Sequence, residues 1–65
     1  MKFIKYFRIW IEKEKHKDGG FWCYMGMDEE NFLWELNENR SSYMFDKVNA
    51  TLEQWIEWEY KIEQL

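Results

Sequence analysis

Proline is absent from the chain, so no residue forbids an unbroken strand or helix anywhere along it. Cysteine occurs once, at Cys23, which excludes an internal disulfide framework, and His16 is the single histidine. A structural zinc site draws four ligands, mostly thiolates and imidazoles, and this pair supplies too few. Glycine is scarce: Gly19-Gly20 and Gly26 fit neither GxxxxGK[ST] nor GxGxxG, so no phosphate-cradling loop is present. No run approaches the roughly 18 consecutive apolar residues of a membrane span. The opening Met1-Lys2-Phe3-Ile4-Lys5 lacks the apolar stretch of a secretory signal. With a lone thiol, these features lead us to expect a cytoplasmic protein without a membrane partner.

What is abundant is aromatic surface. Five Trp, five Phe and four Tyr make up 22% of 65 residues. A chain this short forms one domain, and it buries only about 60% of the surface its unfolded form exposes. Each ring buries about 150–250 Å², so a small interior fills quickly and some rings are expected outside it. Clusters of exposed rings mark contact surfaces. A dense aromatic core and oligomerisation are the two stabilising routes open to the chain, and a homodimer is among the expected partners.

Charge is divided along the chain. Residues 1–17 carry Lys2, Lys5, Arg8, Lys13, Lys15 and Lys17 against Glu12 and Glu14, a net of +4. Residues 18–65 carry Arg40, Lys47 and Lys61 against eleven acids, a net of −8 within an overall −4. Such a division either offsets across neighbouring strands or leaves an acidic face for a basic partner.

From Phe3 to Lys15 the chain alternates. Phe3, Phe7, Ile9 and Ile11 fall on one side, and Ile4, Tyr6, Arg8, Trp10, Glu12 and Glu14 on the other, the period of a strand. Lys17-Asp18-Gly19-Gly20 is a turn, and Phe21–Met25 is the returning strand. Phe32–Leu36 and Ser42–Asp46 read as a second hairpin about Asn37–Arg40, with Phe32, Trp34 and Leu36 on one face. A short helix from Asp28 to Leu36, capped by Asp28, is the rival reading of that stretch. Thr51-Leu52-Glu53-Gln54 has the capping-box pattern, and Leu52–Leu65 follows as a helix without Gly or Pro. Its apolar positions form two rows, Leu52/Ile56/Tyr60 and Trp55/Trp58/Ile62/Leu65. The expectation is that one row rests on the sheet and the other meets a partner or a second copy. The fold class is therefore α+β: an antiparallel β-meander of three or four strands with one C-terminal α-helix packed on the sheet.

No catalytic, cofactor-binding or metal-binding residue is assigned. Cys23 falls mid-strand between rings and His16 in a basic turn, so neither has the partners of an activated nucleophile. Asp28-Glu29-Glu30 are adjacent and point in different directions. The chain thus reads as a non-enzyme, a small acidic protein that binds and modulates another macromolecule, requiring no cofactor. A spaced row of carboxylates also imitates a phosphate backbone. The acids assigned to partner binding are Glu35, Glu38, Asp46, Glu53 and Glu57, and the aromatic anchors are Trp34, Tyr43, Trp55 and Trp58. The expected partner is a host enzyme that handles nucleic acid or serves in defence; the alternative is a small toxin. Direct nucleic-acid binding by the basic first strand is disfavoured, because its cations fall on both faces and the net charge is negative.

In size, acidity and lack of disulfides the chain is similar in kind to the small phage inhibitors of uracil-DNA glycosylase and to anti-CRISPR proteins. Within residues 32–65, Phe-Leu-Trp-Glu-Leu-Asn-Glu-Asn-Arg, Tyr-Met-Phe-Asp and Thr-Leu-Glu-Gln-Trp-Ile-Glu-Trp resemble the closing hairpin and helix of the SUKH immunity superfamily. That resemblance implies a strand pair leading into a helix and an immunity-type partner. Those domains are longer, and the rest of their fold has no counterpart here.

Overall fold

The computed structural model describes residues 2–39 and 42–65, with the side chains of residues 38, 39, 42 and 43 outside that description. Five strands and one short helix follow in chain order: β1 (Lys5–Ile11), β2 (Phe21–Met27), β3 (Phe32–Asn39), β4 (Ser42–Thr51), α1 (Leu52–Glu57) and β5 (Ile62–Gln64). They form one antiparallel sheet in the order β4-β3-β2-β1-β5. The strand count is five, where three or four were expected.

β1 and β2 pair with Ile9 opposite Cys23 and Ile11 opposite Phe21. The first strand is shorter than its alternation suggested. Beyond Ile11 the residues Glu12–Lys15 have no apolar side chain to bury, and the backbone curls so that the N–H groups of Lys15 and His16 donate to Glu12 O. The return needs glycine: a Cβ at Gly19 would lie 2.5 Å from the Glu12 carbonyl oxygen, and Gly20 has φ +96°.

The middle of the chain is the β3–β4 hairpin, and Asp28 serves it as a turn residue. One Asp28 carboxylate oxygen accepts from the N–H groups of Glu30 and Phe32 at 2.9 and 3.1 Å, and the other accepts from Trp34 Nε1 at 2.9 Å. Asn31 completes the turn at φ 69°. These bonds, led by the indole, hold the Asp28 carboxyl below its ordinary pKa. A register shift between Phe32 and Trp34, with Asn49 at φ 57°, bends β4 and delivers Thr51 to the start of α1.

Both halves of the capping box form: Gln54 N–H donates to the Thr51 hydroxyl, and Thr51 N–H to Gln54 Oε1. The helix is six residues long, where fourteen were expected. It stops because Glu59 takes a left-handed φ of 61° after the cap residue Trp58. Lys15 Nζ reaches across to Trp58 O at 2.7 Å, binding one of the carbonyls a helix end leaves free. After Glu59 the residues alternate, with Tyr60 and Ile62 packed against the core while Lys61 is exposed and Glu63 bonds Arg8. Ile62 sits opposite Ile9, so the presumed second helix row is in part an edge strand.

Phe7, Ile9, Ile11, Cys23, Met25, Met27 and Leu33 form the buried cluster, and Leu52 and Trp55 of α1 pack against it. All these strand residues point to one face. Phe3 does not join them. Its ring crosses to the opposite face, 4.7 Å from Phe45 and about 6 Å from Tyr6 and Trp34 between ring centroids. There it fills the space over Gly26, where a Cβ would sit 2.6 Å from the ring. Among the described residues no helix is long and apolar enough to cross a membrane.

Candidate functional site

The residues assigned to partner binding divide between the two sides of the sheet. Glu35 and Asp46 are directly opposed on β3 and β4, both exposed, on the side that α1 occupies. Glu53 and Glu57 are exposed on α1 itself, one helical turn apart. Trp58, at the end of α1, is 49% exposed. Trp55 turns inward: it packs on the core, and its indole N–H is buried without an acceptor among the described residues. It holds the helix down and is no free anchor. Trp34 lies on the other side of the sheet, its N–H committed to Asp28. Glu38 and Tyr43 are opposite one another in the β3–β4 register, and their side chains lie outside the described residues.

The helix side places like charges together twice. Directly opposed carboxylates across a strand pair destabilise it, and like charges four apart on a helix cost about 0.2–0.5 kcal/mol. Asn37 Nδ2 donates to Asp46 at 3.1 Å, which satisfies one oxygen without neutralising it. Among the described residues the one ion pair within 4 Å is Arg8–Glu63, on the opposite side of the sheet. Glu35, Asp46, Glu53 and Glu57 are thus left without a described cation at ion-pair distance.

A hollow of about 350 Å³ lies between sheet and helix, with Cys23, His16, Glu35 and Trp55 among its walls. Burial, with Glu35 nearby, pushes the Cys23 thiol up to about 12. At neutral pH it is a protonated, packed thiol, the opposite of an activated nucleophile. His16 Nε2 lies 2.6 Å from the Tyr60 hydroxyl. Together with Lys15 over the Tyr60 ring at 4.3 Å, it ties the β1–β2 loop to the end of α1. Among the described residues no three potential metal ligands converge.

The side away from the helix was not assigned as a site. It carries Tyr6, Trp10, Trp22, Tyr24, Trp34 and Phe45, and among the described residues no helix or second sheet lies over them. Trp10 and Trp22 meet edge to face at 5.3 Å, and Arg8 covers the Trp22 ring at 3.9 Å while its Nε donates to Glu63 at 2.8 Å. That bond holds the guanidinium above its ordinary pKa. Lys47 sits over Phe32 at 4.3 Å. At the centre is a hollow of about 430 Å³, almost wholly apolar, walled by Tyr6, Tyr24, Met25, Leu36, Phe45 and Leu65. The signal was present in the even-numbered rings of β1 and β2, which alternate as regularly as the core residues beside them.

No protein-family model, curated protein or solved structure matches the chain, so its functional reading rests on the geometry of its own residues.

Proposed function

We propose that the chain is a non-catalytic binding protein of the phage or mobile-element inhibitor type, whose acidic helix side engages a cationic surface on a nucleic-acid-handling or defence enzyme. The observation that carries this reading is the twofold juxtaposition of like charges on that side, Glu35 against Asp46 and Glu53 before Glu57. Arrangements that weaken a fold are relieved when a cationic partner arrives between them. Trp58, exposed beside them, supplies an apolar anchor of the kind that dominates interface energetics.

The test is affinity capture from a bacterial lysate at low and moderate salt, with wild type beside the double variant Glu53→Lys/Glu57→Lys. The expected result is one nucleic-acid enzyme retained by wild type, inhibited by it, and released by the variant or by raised salt. The double reversal keeps a like-charge pair at the same spacing and removes the acid from the first turn of α1, so the variant is expected to stay folded and lose at most about 1 kcal/mol of stability, which a melting curve checks. A small toxin captured instead would favour the immunity reading. Capture that ignores both salt and the charge reversal would overturn the acidic-surface proposal.

A further inference from the structure

We propose that the open aromatic face of the sheet is the docking surface for a second copy of this chain, giving a two-fold dimer of face-to-face sheets with the acidic sides outward. Stable domains bury each apolar sheet face against another layer. Here the buried cluster and α1 occupy one face only, and Tyr6, Tyr24 and Leu65 on the other are 49%, 44% and 63% exposed. A chain this small is short of core, and that shortage exists whenever it folds, whether or not a host enzyme is present. A second copy is the partner that is always available.

Size and charge agree. Five strands at about 4.8 Å spacing and seven residues at about 3.3 Å give a plan area on the order of 500–600 Å². Relief from the rings raises this toward the ~800 Å² per partner of a standard interface. The chain is 20 Å through its thinnest dimension. Opposing open faces therefore hold the acidic sides of the two net −4 chains more than a screening length of about 8 Å apart. The face also has the anatomy of an interface, an apolar centre with a polar rim. Arg8 and Glu63 neutralise each other at that rim, and Lys47 rests on Phe32.

A single-stranded nucleic acid fits this surface less well. Stacking needs free ring faces, and Arg8 already covers Trp22 while Phe3 covers Phe45. In the dimer Tyr6, Tyr24 and Leu65 of each copy interdigitate and fill the two central hollows.

Sedimentation of the full chain across a concentration series reads this directly. Wild type is expected at twice its 8.3 kDa mass. Tyr24→Glu and Leu65→Glu, each placing a carboxylate in the hollow, are expected to weaken association by at least ~30-fold. Trp58→Glu, on the other side of the sheet, is expected to stay dimeric. Because a variant can fail to fold, isotope-filtered NMR of mixed labelled and unlabelled wild type gives a second reading: intermolecular contacts among Tyr6, Tyr24 and Phe45 rings. A wild-type monomer at high concentration, or a dimer without those contacts, would overturn the proposal. So would a monomer that binds a homopolymeric oligonucleotide and loses it in Tyr24→Glu. Reversing Glu53 and Glu57 leaves the association unchanged, so this inference and the acidic-surface reading fail separately.

Discussion

The two faces of one sheet have received opposite treatments. Toward α1, odd-numbered residues of β1 and β2 bury Phe7, Ile9, Cys23 and Met25 in a closed core, and the acids surround it. Away from α1, the even-numbered residues of the same strands present larger rings and leave them uncovered. Size does not decide which side chains are buried, since the fully buried ones are Ile9 and Leu33 while Trp10 and Trp22 stay half-exposed. What decides it is where the second layer falls, and a six-residue helix covers only one side.

That contrast can be broken most forcefully from the core. Ile9→Ala, at a site with no solvent exposure, is expected to lower stability by about 2–5 kcal/mol in urea denaturation. Tyr6→Ala on the open face is expected to cost within about 0.5 kcal/mol at high dilution and more as protein concentration rises. Equal costs for the two at every concentration would mean the faces are not different in kind.

Gly26→Ala probes the open face from beneath, because its new methyl group meets the Phe3 ring at 2.6 Å. The expected loss is about 1–3 kcal/mol, and most of it should vanish in a Phe3→Ala background if that ring alone is displaced. Thr51→Ala removes the capping box that holds the covering helix, at about 1 kcal/mol. Melting curves measure both.

A further effect is confined to alkaline pH. The Cys23 thiol is raised from 9.0 to about 12, so the folded state favours its protonated form. The sign follows: this contribution is complete below pH 9 and is lost as pH rises toward 12. Wild type should therefore lose stability over that window, and Cys23→Ala should lose less. Alkylation of the thiol at neutral pH should be slow until the chain unfolds.

Much of the fold was legible because its signals are local. The alternation of Phe7, Ile9 and Ile11, the Gly19-Gly20 turn and the Thr51–Gln54 capping box each depend on a few neighbouring residues, and each forms where expected. The hairpin reading of β3 and β4 also holds, but β3 runs on to Asn39 through most of the expected Asn37–Arg40 turn, and the residue it buries is Leu33, on the face opposite Phe32, Trp34 and Leu36. The segment after Trp58 was read as helix and is not, because Trp55, Trp58 and Ile62 satisfy a helical spacing while Tyr60 and Ile62 also satisfy the strand that forms.

The residues assigned to partner binding are divided by the fold. Glu35, Asp46, Glu53, Glu57 and Trp58 do share one side, but Trp34 faces the other way and Trp55 faces inward. By itself the sequence determined the strand periods, the turns, the cap and the excess of rings and acids, all properties of residues close in the chain. Only the tertiary structure decided that β5 pairs with β1, that Lys15 closes the end of α1, and which set of rings has no cover. Those outcomes depend on contacts between residues more than forty positions apart, and no local pattern of side chains encodes such pairings.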